Sequence, residues 1–114
     1  MDVDFFRKTC MALPAATEEV KWGNDLVFSV GGKMFYVTAF EEPFGCSFKV
    51  PDEEFEELSM REGFIPAPYM ARAKWVQLKD TKVLSKKDWE RYIRQSYELV
   101  KAKLTKKLRT ELGI

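Results

Sequence analysis

The sequence predicts an α+β domain: an antiparallel β-sheet of about five strands, with a central meander, packed against N- and C-terminal helices. Three observations carry this prediction. Residues 26–30 and 33–37, rich in β-branched and aromatic types, flank a Gly31-Gly32 pair, and adjacent glycines take the positive φ values of a two-residue hairpin turn. Apolar residues recur at helical spacing near both ends of the chain. Between them, short apolar segments separated by turn residues extend the sheet beyond the hairpin.

Taken in order, Asp2 or Asp4 caps a first helix in which Val3, Phe6, Cys10 and Leu13 share one face, and Pro14 stops it. Residues 17–22 read as a connection into a short strand, with Trp22 as a core residue and Gly23-Asn24 as the turn. In the hairpin, a two-residue loop sets Val30 opposite Lys33, Phe28 opposite Phe35 and Leu26 opposite Val37 on the core side. The other side carries Val27, Ser29, Met34, Tyr36 and Thr38, a mixed face suited to partial cover.

The second hairpin strand runs to about Phe40, and a turn over 41–45 leads to a third meander strand at 46–50. Alternation sets Cys46, Phe48 and Val50 on one face and Ser47 and Lys49 on the other, so Lys49 joins the mixed face. Residues 51–58 open a second helix with its carboxylates in the first turns, where the helix dipole favours them, and with Phe55 and Leu58 buried. Pro66 and Pro68 make residues 64–69 a rigid, partly buried loop, because neither proline can donate to a ladder. Residues 74–78 form a strand and residues 80–82 a turn.

Ser85, with Asp88 three residues on, resembles a capping box and starts the last helix, which runs to about Leu104. Trp89, Ile93, Ser96, Tyr97, Val100 and Leu104 share its buried side, while Lys87, Arg91, Arg94, Glu98 and Lys101 gather on the far side. Lys103, Lys106, Lys107 and Arg109 continue the charge into a basic C-terminal tail, from about 105, that frays.

Length and composition bound the function. At 114 residues, the span 1–114 is expected to be one domain with a single core. A composition of 46% hydrophobic and 32% charged residues is that of a globular protein rather than a disordered one. There is no apolar run near the ~20 residues that span a bilayer, and no basic segment followed by an apolar stretch at the N-terminus. The expectation is a cytoplasmic protein without a membrane partner. Cys10 and Cys46 read as small buried residues in a reducing compartment, and no zinc-ligand cluster surrounds them. The chain contains no histidine, which removes the commonest general base and the usual transition-metal ligand. With no catalytic constellation and no phosphate-cradling loop between strand and helix, neither an enzyme nor a cofactor is expected.

The net charge of +1 conceals a strong polarity. Residues 1–69 carry six basic and thirteen acidic side chains, net −7, whereas residues 70–114 carry thirteen basic and five acidic, net +8. A basic C-terminal third is the footprint of a polyanion partner, or the complement of the acidic segment within the fold.

Lys21-Trp22-Gly23, Gly31-Gly32-Lys33-Met34-Phe35, Ile65-Pro66-Ala67-Pro68-Tyr69, Trp75-Val76 and Ser96-Tyr97 with Lys103-Leu104 occur in this order along nearly the whole chain. Together they resemble the MmcQ/YjbR family of small bacterial proteins. The resemblance implies a fold similar to CyaY, the bacterial frataxin, and a DNA-binding role through a double-wing arrangement of strands. The residues suit one wing only. Gly31 and Gly32 make a narrow tip with Lys33 beside it, while the turn at 41–45 carries Glu41 and Glu42, which phosphate would repel. The leading expectation is phosphate-directed DNA binding by Lys33, Lys49, Arg72, Lys74, Arg91, Arg94 and Lys101, because no helix groups Asn, Gln or Arg to read base edges. A second expectation is a protein partner or homodimer held through Val27, Met34 and Tyr36. A third, implied by the frataxin-like fold, is weak metal binding by the carboxylates at 53–57, which as a solvated helix face have a simpler account.

Overall fold

The computed structural model describes residues 2–114. Ten regular elements follow one another: helix α1 (Val3–Met11), strands β1 (Ala16–Lys21), β2 (Asp25–Val30), β3 (Lys33–Ala39) and β4 (Cys46–Lys49), helix α2 (Asp52–Met60), strands β5 (Phe64–Pro66) and β6 (Trp75–Leu78), and helices α3 (Lys86–Ala102) and α4 (Lys106–Leu112). The six strands form one antiparallel sheet in the order β1-β2-β3-β4-β6-β5. The α+β class is as expected, with one strand more than about five.

The added strand is β5, in the segment expected to be a loop. It pairs with β6 from Phe64 opposite Leu78 to Pro66 opposite Val76. Its place at the edge of the sheet is what admits a proline, since no further strand asks for the missing N–H.

The hairpin forms around Gly31 and Gly32, but its register changes partway. Val30 faces Lys33 and Ser29 faces Met34; then a bulge intervenes, and Phe28 faces Tyr36, Val27 faces Val37 and Leu26 faces Thr38. The expected pairs Phe28 with Phe35 and Leu26 with Val37 therefore do not form. Phe35 is the extra residue, and such a residue lets two neighbours share a face. Both Phe35 and Tyr36 are fully buried beneath the helices, while Val37 turns to the opposite side. Thr38 also lies on the helix side, with its hydroxyl 3.5 Å from the Cys46 thiol.

The helices cover one face of the sheet. Asp2 caps α1 by accepting from the Phe5 N–H at 3.2 Å, and α1 buries Phe6 and Cys10. Trp89 of α3 sits at the centre, 5.2 Å from the Phe6 ring, 5.8 Å from Phe48 and 6.3 Å from Tyr36. Edge-on aromatic pairs of this kind add roughly 0.5–1.5 kcal/mol beyond the area they bury. The indole N–H donates to the Thr81 carbonyl at 2.9 Å, so the ring carries no unmet donor into the core. The Ser85 hydroxyl caps α3 by accepting from the Asp88 N–H at 3.1 Å, and Trp89, Ile93, Ser96, Tyr97 and Val100 are all buried as the helical spacing predicts. Cys10 and Cys46 are buried free thiols. Burial pushes both thiols up from their ordinary pKa, Cys10 well up.

Residues 106–112, expected as a fraying tail, form a helix. Thr105 caps it by accepting from the Leu108 N–H at 3.1 Å, Gly113 closes it at φ +74°, and Leu108, Leu112 and Ile114 pack on the core.

The far face of the sheet is partly covered by irregular chain, as the mixed composition suggested. Val27, Val37 and Trp75 pack there with Ala67, flanked by Met34 and Met70. Trp22, expected in the core, is instead 64% exposed in the β1–β2 turn.

Candidate nucleic-acid interface

The hairpin tip does not project as a free wing. Gly31, at φ +58°, faces the end of α3 and α4: a Cβ there would lie 2.8 Å from Leu104 Cδ1 and 3.2 Å from Leu108 Cδ2. Gly32, at φ +79°, has open space around it, and Lys33 beside it is exposed. The tip is therefore buttressed at Gly31, while Gly32 and Lys33 stay exposed. Through Leu104 and Leu108 it also touches the elements that carry Lys103, Lys106 and Lys107.

Lys49 is not on an exposed face. Only 8% of it is exposed, and its ammonium donates to the Ala73 carbonyl. That carbonyl belongs to a single 3₁₀ turn, Ala71–Ala73, between β5 and β6. Burial pushes the Lys49 pKa down; the positive charges of Lys103 and Lys74 push the same way, and Asp52 opposes them. Lys74 leaves that turn at φ +64° and sets its ammonium 5.1 Å from the centre of the Phe55 ring. Arg72 is exposed on the same turn. Lys49, Lys74 and Lys103 thus share one corner of the molecule, at the end of the sheet nearest the hairpin tip. The sequence places Lys103 only at the start of the basic tail. The signal for its place was Leu104, whose helical spacing from Val100 seats the end of α3 on the core.

Two of the remaining expected residues, Arg91 and Arg94, lie apart from this corner. Arg91 and Arg94, with Lys8 and Lys87, line a groove of about 640 Å³ between α1 and α3, which also holds Glu90. The Arg91 guanidinium stacks 4.4 Å from the Tyr92 ring centre. Lys101 lies 4.0 Å from Glu98 and caps the Tyr97 ring at 6.0 Å. Glu98 interrupts the basic line along α3 between Arg94 and Lys101, so two basic clusters form rather than one stripe.

Three ion pairs form among the described residues: Arg7–Glu18 at 2.7 Å, Lys21–Glu19 at 3.3 Å and Lys101–Glu98 at 4.0 Å. The Arg7 guanidinium holds the Glu18 carboxyl below its usual range, first by hydrogen bonding and then by charge. None of the three involves a carboxylate of α2. Among the described residues no group of three or more His, Cys, Asp or Glu is placed to hold a metal ion. No described helix is long and apolar enough to cross a membrane.

The far face of the sheet holds a groove of about 720 Å³, lined by Trp22, Asp25, Met34, Val37, Ser47, Tyr69 and Gln77 among others. Met34 reaches it, but Tyr36 does not. The Tyr36 ring is on the helix side and fully buried, which pushes its hydroxyl well above its ordinary pKa. A partner surface built on Tyr36 is thereby ruled out.

A family model described as YjbR matches residues 11–99. Among solved structures, the chain is similar to Deinococcus radiodurans protein DR2400, whose crystal structure is described as having a DUF419 domain. The two share 30% identity over 99% of this chain and 88% of that one, with a TM-score of 0.88. No curated protein matches the chain.

Proposed function

The chain belongs to the YjbR family, and from that premise and the basic corner we propose that it is a binding protein for DNA, engaging phosphate rather than base sequence, and not an enzyme. The observation that carries this reading is the environment of Lys49. Lys103 and Lys74 act on its ammonium with the same sign, and Asp52 is the carboxylate set against them. A corner that gathers Lys49, Lys74 and Lys103 against Asp52, with Lys33 and Arg72 exposed on the adjoining tip and turn, favours an added anion. The acidic helix α2 does not consume this potential in ion pairs among the described residues.

Fluorescence anisotropy with a labelled duplex tests it. Binding should weaken steeply with salt, and the combined variant Lys33→Ala, Arg72→Ala, Lys103→Ala should flatten the slope of log K against log salt by roughly 2 to 3, at about 0.9 per phosphate contact. Failure to bind at about 10⁻⁴ M protein in low salt, or binding indifferent to salt, would overturn the proposal.

A further inference from the structure

Two large aromatic residues stand out because they do nothing for the core. Trp22 is 64% exposed and Tyr69 wholly so, and they hold φ values of +51° and +64°. That region costs a bulky side chain roughly 1–2 kcal/mol. Strain kept at exposed positions marks a place where orientation matters to something other than folding. The two residues come from distant parts of the chain, the β1–β2 turn and the loop before β6, yet both line the groove on the far face of the sheet.

The groove is lined by apolar Met34 and Val37 and by polar Ser47, Gln77 and Asp25. Gln77 commits its amide nitrogen to Ser47 Oγ at 3.2 Å and to the Gly45 carbonyl at 3.4 Å, which leaves its carbonyl oxygen as an acceptor. Asp25 adds a carboxylate outside the three ion pairs. Exposed rings, a slot of about 720 Å³ and a few acceptors for N–H donors are what an extruded nucleobase requires. Charge selects among flat ligands. Arg72, exposed on the turn that follows Met70 of the lining, is the cation set to repel a cationic guest and to meet a strand phosphate, whereas Lys33 shares the helix side of the hairpin with Val30 and Lys74 lies over Phe55.

We propose that this groove takes an unpaired base of a nucleic-acid strand, stacked against Trp22 and Tyr69, with its N–H edge toward Gln77. The proposal rests on the DNA reading above and deepens it, making single-stranded segments the preferred form.

The test compares an oligo-dT strand with a duplex of equal length in low salt, by anisotropy and by tryptophan emission. Trp75 and Trp89 are buried, so solvent-exposed emission reports Trp22. The single strand should bind more tightly than the duplex and quench that emission. Trp22→Gly, which relieves the positive φ and so keeps the fold, and Tyr69→Ala should each weaken strand binding by about tenfold. Both should leave duplex affinity unchanged. Duplex binding with no preference for the strand, or variants that lose both ligands equally or neither, would overturn the stacking proposal while the phosphate reading stands. Binding of neither form by the wild type would overturn both.

Discussion

Ser96 occupies the point where the β3–β4 ladder stops. The two strands pair at Tyr36 with Phe48 and at Val37 with Ser47; beyond these the bulge at Phe35 breaks the register. The Ser96 hydroxyl fills the break by donating to the Phe35 carbonyl at 2.6 Å and accepting from the Lys49 N–H at 2.9 Å. One side chain of α3 thus satisfies two buried main-chain groups on two strands. Ser96→Ala should cost about 3 kcal/mol in urea unfolding with an unchanged m-value, since each orphaned group costs roughly 1–3 kcal/mol. A loss below about 1 kcal/mol would mean that the ladder closes without the hydroxyl. The burial of Ser96 was legible from its spacing with Trp89, Ile93 and Val100. Its partners were not, because the bulge that creates the vacancy lies 61 residues away. Lys49 shows the same limit: strand alternation gives its face, but the turn that covers it is supplied by Ala73, 24 residues on.

Among elements, the hairpin was the most legible because its turn chemistry is local, and its bulge the least, because two aromatic residues on one face satisfy a helix layer that a two-residue period cannot describe. Proline misdirected the reading of β5 for a similar reason: the ban on proline holds for central strands, and edge position is a property of the whole sheet. The buttressed tip makes the coupling between hairpin and C-terminal helices measurable. Gly31 and Gly32 both hold positive φ, so alanine at either costs roughly 1–2 kcal/mol in strain. Only Gly31→Ala also drives a methyl to 2.8 Å from buried Leu104 and to 3.2 Å from Leu108. It should therefore destabilise more than Gly32→Ala in urea melts, and pairing it with Leu104→Ala should recover the difference. Equal losses at the two glycines would show that α4 does not seat on the tip.

At the scale of the whole molecule, folding keeps the charge poles of the sequence distinct rather than cancelling them. The five carboxylates of α2 form no ion pair among the described residues, and Asp52 still acts on Lys49 across the corner. The polarity itself was legible as a count along the chain; that the acidic helix would border the basic corner was not, because it depends on Phe55 packing under Lys74. A phosphate backbone approaching Lys33, Arg72 and Lys103 must therefore pass near exposed Glu53, Glu56 and Glu57. That repulsion is long-range, so salt should erase it: the screening length falls from about 30 Å at 0.01 M to about 8 Å at 0.15 M. Replacing the three acids by Gln should tighten duplex binding several-fold near 20 mM salt, by roughly 1 kcal/mol in sum at high effective dielectric. The gain should fade above about 200 mM. The salt slope becomes steeper, opposite to the flattening expected on loss of Lys33, Arg72 and Lys103. Anisotropy titrations at four salt concentrations separate the two effects, and an acid-neutralised variant that binds no more tightly at low salt would place the DNA path on another face of the protein.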